Sequence, residues 1–149
     1  MRCVAQRVSR ARVLVEGAEV GAIETGLVAL VALLEGDQPE DLTWMEKKLV
    51  SLRVFPDEAG KMNRSVLDVK GSVLLVSQFT LSADVGKGAR PSFMASMQPS
   101  LARALFDEFA DALRRRLPVA TGRFGADMQV ELTNNGPVTL WLDSRSRGK

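Results

Sequence analysis

Ser77-Gln78-Phe79-Thr80 gathers hydroxyl and amide side chains around one aromatic ring, directly after the apolar run Val73 to Val76. Hydrogen-bonding groups in that density can grip a polar ligand, and the ring offers a stacking surface. A strand end whose hydroxyls bond nearby backbone accounts for the same residues, and on physics alone it is the favoured reading. A Thr hydroxyl needs a base to become a nucleophile, and the chain has no histidine. The second stretch is Asn134-Asn135-Gly136-Pro137, which reads as an Asn-Gly hairpin turn followed by a proline opening an edge strand. Its Gly-Pro bond can be trans or cis, and the sequence leaves the isomer open. In the cis form, adjacent backbone carbonyls would point the same way and sense a ligand's shape without any side chain.

Lacking histidine, the chain is closed to Ser-His-Asp and Cys-His catalysis and loses the commonest zinc ligand. No metal site is expected. Cys3 is the only cysteine, so no intramolecular disulfide can form, and its place near the start of a strand reads as a small buried hydrophobe. Lys and Arg total 20 against 18 Asp and Glu, a net charge of +2 that does not by itself mark a nucleic-acid protein. The distribution says more: Arg114-Arg115-Arg116 form a run, Lys87 and Arg90 lie in a Gly-containing loop, and Arg145, Arg147 and Lys149 make a basic C-terminal tail. Each cluster taken alone reads as solvated surface.

The elements that must position these residues follow from periodicity. With 149 residues, 46% of them hydrophobic and 26% charged, the chain has the profile of one soluble domain. No apolar run approaches a membrane span, and the start alternates polar and apolar residues instead of forming a signal-peptide stretch, so a cytoplasmic protein is expected. Strands are predicted around Val13 and Val15, after a turn at Glu16-Gly17-Ala18-Glu19, and over Leu27 to Leu34 as a buried central strand. A first helix is predicted from Pro39, with Asp37 as its cap, through Leu42, Met45, Leu49 and Leu52. Val66 to Val69 and Val73 to Val76 read as the strands of a hairpin. Ser82 to Pro99 reads as a long loop, and Leu101, Leu105, Phe109, Leu113 and Leu117 as a second helix ended by Pro118. Met128 to Thr133 and Val138 to Asp143 alternate, predicting a hairpin closed at Asn134-Pro137. The expected fold is α+β, a single mostly antiparallel, barrel-like sheet with two main helices.

From Met1 to Ser144 the sequence resembles the D-aminoacyl-tRNA deacylase family, first described as D-tyrosyl-tRNA deacylase. Gln6-Arg7-Val8-Ser9-Arg10-Ala11 looks like its N-terminal signature, and Lys61-Met62-Asn63 with Ser65-Val66 its middle one. Ser77-Gln78-Phe79-Thr80-Leu81 and Asn135-Gly136-Pro137-Val138-Thr139 are similar to its active-site motifs. Lys87 to Phe93 resembles the loop beside the site, and Thr121 to Met128 the run before the last strands. Any of these strings alone is weak; their occurrence in order, without a gap in either active-site motif, is specific. Val85-Gly86 departs from the more polar, often basic pair usual in the family, and residues 145–149 extend past its core as a basic tail behind a domain of residues 1–144.

The resemblance implies a homodimer with its active sites at the subunit interface, acting on aminoacyl-tRNA in translation quality control without any cofactor. Ser77, Gln78, Phe79 and Thr80 would form the catalytic face. Gly136 and Pro137 of the other subunit, as a cis unit held by Arg7, would exclude L-aminoacyl esters while admitting D-aminoacyl esters and glycine. Lys87 and Arg90 would meet tRNA phosphates. Other readings of these residues are a non-catalytic dimer that binds tRNA ends, and a hydrolase with Thr80 as covalent nucleophile.

Overall fold

Alternating residues at the start of the chain form one long strand, β1 (Arg2–Val15), with Cys3, Ala5, Val8, Ala11, Val13 and Val15 buried in the computed structural model, which describes residues 1–147. Glu16 and Gly17, at φ of 50° and 79°, reverse the chain into β2 (Ala18–Ile23), antiparallel to the second half of β1. A two-residue reversal with positive φ at both positions matches the twist of the flanking strands, and glycine bears it most easily. Strand β3 (Gly26–Ala32) continues along the same side, pairing from Val8↔Gly26 to Arg2↔Ala32.

The chain then crosses over through α1 (Pro39–Ser51) to β6 (Ser72–Ser77), which runs parallel to β3. Gly26 permits their close start, since a Cβ there would sit 1.9 Å from the Ser72 carbonyl oxygen. A second crossover, α2 (Pro99–Arg114), leads to β7 (Val119–Thr121), parallel to β6. The last strand, β8 (Gln129–Asp143), lies antiparallel along nearly all of β1. The order is β2-β1-β3-β6-β7 with β8 beside β1, and β2 curls back until Gly21 meets the Thr121 backbone. Helices cover one face through Met45, Leu49, Phe106, Phe109 and Leu113, while Val8, Val13, Ile23, Val28, Leu74 and Val76 fill the inside of the curl. This is the expected α+β architecture. Its β1 pairings are antiparallel, and the crossover helices make β3, β6 and β7 parallel.

Several local expectations differ from the structure. Gln38, not Asp37, caps α1 in a reciprocal box with Asp41; the buried Asp37 carboxylate instead takes the Met1 amine at 2.7 Å and the Leu34 N–H at 2.7 Å. Leu101 is 57% exposed, and the buried face of α2 is Phe106, Phe109, Ala110 and Leu113. Strict spacing by four advances about 40° per step around a helix, so a row of five cannot stay on one face. Val66 to Val69 is a turn, fixed by the Asp68 carboxylate accepting from the Ser65 N–H (2.7 Å) and Oγ (2.8 Å). The small hairpin lies earlier, in β4 (Phe55–Pro56) and β5 (Met62–Arg64). No hairpin closes at Asn134-Pro137, because β8 runs through it and β1 is long enough to pair with both halves.

Candidate functional site

Strand β6 ends at Ser77, where the Gln78 N–H donates to the Val31 carbonyl at 2.7 Å and the chain winds into a 3₁₀ turn, Phe79–Ser82. The turn is tied from inside and outside. Buried Ser82 donates through Oγ to the Phe79 carbonyl (2.7 Å) and shares a short hydrogen bond with Ser96, while Arg2 Nη1 donates to the Leu81 carbonyl at 2.8 Å. Because a helical turn provides no carbonyl for its first N–H groups, those of Phe79 and Thr80 are left to act as donors. The Phe79 ring is 59% exposed and stands edge-on to Phe93 at a 5.1 Å centroid separation. Thr80 Oγ1 accepts a 2.6 Å hydrogen bond from Gln78 Nε2, an amide donor that cannot take its proton.

A cavity of about 700 Å³ opens beside this turn, walled by Gln78, Phe79, Phe93, Phe106 and Phe124 with Asp127. The Phe124–Met128 stretch is thus a wall of the site. Its sequence signal, a Phe and a positive-φ Gly125 ahead of a strand, was legible only as a family likeness. Lys87 and Arg90 are exposed on the loop pinned by the Asp84↔Ser92 bridge, and neither lines the cavity. A groove of about 620 Å³ between β1, β2 and β8 holds Arg12, Glu19 and Glu131, but these charges pair with one another and none of the predicted site residues lies there.

The second motif is a bulge in β8. Val8 faces Asn134 and Gln6 faces Thr139, so the intervening residues of β8 swing out of register. Asn134 closes the bulge, accepting from the Val138 N–H (3.1 Å) and donating to Thr139 Oγ1 (2.9 Å). Gly136 has φ 131°, and the Gly136–Pro137 peptide is cis. Arg7 Nε donates to the Asn135 carbonyl at 2.9 Å and its Nη1 to the Val54 carbonyl, so one guanidinium joins the bulge to the segment before β4. Space at Gly136 is tight, with a Cβ there falling 2.8 Å from Arg7 Nη2. Arg7 therefore holds the bulge by the Asn135 carbonyl, one residue ahead of the cis Gly136–Pro137 unit.

They do not meet Ser77–Thr80 within the chain. Arg7 pairs with Leu27 of β3, whereas Gln78 is tied to Val31, the partner of Cys3. Four residues of strand separate the two positions, roughly 13 Å at about 3.3 Å per residue. Elsewhere, burial pushes the Cys3 thiol up to about 12, so it stays protonated and inert. Of the predicted basic tail, Arg145 pairs with Asp37 at 3.1 Å and Arg147 with Asp41 at 3.5 Å, while Lys149 lies outside the described residues. No group of three His, Cys, Asp or Glu able to hold a metal occurs among the described residues.

A family profile described as D-Tyr-tRNA(Tyr) deacylase matches residues 4–143. A protein of Herminiimonas arsenicoxydans named D-aminoacyl-tRNA deacylase is 56% identical over 143 residues, covering 95% of this chain and 96% of its own. One of the same name from Magnetococcus marinus is 54% identical over 145 residues, 96% of each chain. Among solved structures, one named "c-Myc DNA Unwinding Element Binding Protein" superposes with a TM-score of 0.92 at 40% identity, covering 96% of this chain and 98% of that one. Another, named for a probable eukaryotic D-amino acid tRNA deacylase, has a TM-score of 0.80 at 20% identity over 95% and 97%, a likeness of fold.

Proposed function

This chain belongs to the D-Tyr-tRNA(Tyr) deacylase family, and from that premise we propose that it is a D-aminoacyl-tRNA deacylase, a cytoplasmic homodimer that also clears glycyl-tRNA and spares L-aminoacyl-tRNA. The observation that carries the finer reading is the separation of the two motifs. A bulge stiffened by Arg7 and Asn134 stands exposed, with no ligand-bearing turn of its own within about 13 Å along the strands. In a twofold dimer the bulge of one copy reaches the turn of the other, and both sites are completed at once. Strand β8 favours such pairing: it spans 15 residues, pairs among the described residues only with β1, and leaves Trp141 exposed beside half-buried Leu140 and Leu142. No helix of the described residues is long and apolar enough to cross a membrane.

In the proposed reaction water attacks the ester carbonyl carbon, and the carbonyl electron pair moves onto oxygen. The N–H groups of Phe79 and Thr80 donate to the oxyanion so formed. Collapse of the tetrahedral intermediate breaks the bond to the ribose 3′-oxygen, which takes up the proton, releasing amino acid and tRNA. With no histidine in the chain, the ribose 2′-hydroxyl assists the attacking water. An aminoacyl ester is already labile, so main-chain donors and positioning suffice. Gln78 and Phe79 hold the terminal adenosine by hydrogen bonding and stacking. Lys87 and Arg90 meet acceptor-stem phosphates, and Ser77 sets the start of the turn.

The carbonyls of Gly136 and Pro137 fill the space an L-side chain needs. A D-side chain points away from them, and glycine has none to collide. No cofactor enters the reaction. Rates on D-tyrosyl-, glycyl- and L-tyrosyl-tRNA under one set of conditions test the reading: hydrolysis of the first two with the third surviving is expected. Comparable D and L rates would remove the chiral filter, and an aminoacyl group trapped on Thr80 would overturn the water mechanism.

A further inference from the structure

Arginine at the second position of a chain ordinarily reads as a solvated charge, but here it is held on several sides. Arg2 opens β1, between Ala32 of β3 and Asp143 of β8. Its Nη1 donates to the Leu81 carbonyl at 2.8 Å, its Nε lies 3.4 Å from Asp143 Oδ2, and its guanidinium stands 5.6 Å from the ring centroid of Trp141. A planar guanidinium engaged by an anion, an aromatic ring and a carbonyl has its direction fixed, which a lysine would reproduce only in part.

The Leu81 carbonyl is the point of interest. It belongs to the closing end of the 3₁₀ turn, where carbonyls lack intrahelical donors and partial negative charge collects. A four-residue turn has little stability of its own. Its inner side is tied through Ser82 and Gln78; its outer side is tied to the edge strand through Arg2. The same strand, β8, carries Trp141, Asp143 and the Gly136–Pro137 bulge.

We propose that Arg2 is a positioning residue of this site, fixing the direction of the Phe79 and Thr80 N–H groups by clamping the turn that bears them to β8. The inference rests on the deacylase reading given above. Arg2 touches the turn and not the ester, so its effect falls on the reacting step more than on binding of the tRNA end.

Arg12 is the matched control. It also lies on β1 and pairs with β8, through Glu131 at 2.7 Å, but it reaches no part of the turn. Steady-state kinetics on D-tyrosyl-tRNA, with the backbone amide resonances of Phe79 and Thr80 as a second readout, would compare wild type, Arg2→Ala, Arg2→Lys and Arg12→Ala. For Arg2→Ala, kcat is expected to fall about tenfold, as loss of a charged hydrogen bond implies, with KM held within about twofold. The Phe79 and Thr80 amides should shift while those of Phe109 and Leu113 stay in place. Arg2→Lys should recover part of kcat, and Arg12→Ala should match wild type. Unchanged kcat in Arg2→Ala would overturn the proposal, as would a rise in KM alone, which would make Arg2 a substrate contact. Shifts throughout the core with no rescue by lysine would reduce Arg2 to a structural residue and equally overturn it. Should wild type itself leave D-tyrosyl-tRNA intact, the deacylase reading fails, and the amide shifts still decide whether Arg2 holds the turn.

Discussion

The 3₁₀ turn at Phe79–Ser82 and the β8 bulge at Asn134–Val138 are both short and irregular, yet they are held in opposite ways. At the turn, main-chain hydrogen bonds and a buried serine do most of the holding, and the side chains of Phe79 and Thr80 are left outside. In the bulge, side chains do the holding: Arg7 grips the Asn135 carbonyl and Asn134 the Val138 N–H. One region therefore presents side chains and free N–H groups on a backbone scaffold, the other presents backbone carbonyls on a side-chain scaffold. A substitution at an exposed side chain should matter at the turn for what that side chain touches. In the bulge it should matter for what the backbone can no longer do.

The sharpest way to break this division is to put the two regions on different chains. Gly136→Trp would crowd the bulge against Arg7 and Val138, and Phe79→Ala would remove the stacking ring from the turn. Each homodimer should lose at least about tenfold in rate. Mixed in equal amounts after unfolding and refolding together, they should regain about a quarter of wild-type activity, since half the dimers are mixed and each carries one intact site. Rates no higher than those of the parent variants would place both motifs in one subunit.

Arg7→Ala comes next in size. It removes both donors, so the Asn135 and Val54 carbonyls lose their partners. At about 1.5 kcal/mol for the charge-assisted bond that reaches the bulge, kcat/KM on D-aminoacyl-tRNA should fall roughly tenfold. Measured rates on L-aminoacyl-tRNA should fall less, narrowing the discrimination; an unaltered D-to-L ratio would detach Arg7 from the filter. Thr80→Ala should cost less than about threefold, because its hydroxyl only accepts from Gln78 while its N–H survives the change. Complete loss of turnover would restore the hydroxyl as nucleophile.

The smallest expected effect lies outside both regions. The Asn63 side chain, with the N–H groups of Lys61 and Ala59, holds the Asp57 carboxyl below its ordinary value of 3.8. A lowered folded value means that its stabilisation is fully present above that ordinary value and is lost as pH falls through the folded one. The thermal midpoint of Asp57→Asn should therefore lie slightly below wild type at neutral pH and converge with it in strong acid. Asp57 is only half-buried and water screens its partners, so the gap is small; a gap that widens in acid would reverse the sign.

Patterns that depend on neighbours in sequence were readable before the structure. The apolar run into Ser77-Gln78, the Glu16-Gly17 reversal and the core stripe at Phe109 and Leu113 belong to this class. Asn134-Pro137 illustrates the other class. The same residues suit a hairpin turn or a bulge, and the choice is made by β1, which offers partners on both sides of the irregularity. Arg7 was chosen through family likeness, because its contact with Asn135 spans 128 positions and no local pattern announces it. Arg2 went unnoticed for the same reason, with its contacts at Leu81, Trp141 and Asp143 all remote in sequence.

The pairing of β1 with β8 also orders events in time. Arg2 meets Asp143 and Leu14 meets Gln129, so β1 is bonded along its length to a strand made long after it. During synthesis β1 can find β2 and β3, but its other edge stays open until β8 emerges. An unpaired edge of that length on a nascent chain is a template for a neighbouring chain, and contacts so distant in sequence form slowly. A growing copy thus carries an open pairing edge until β8 is made, and the strand that delivers the Gly136–Pro137 bulge is also the one that covers it.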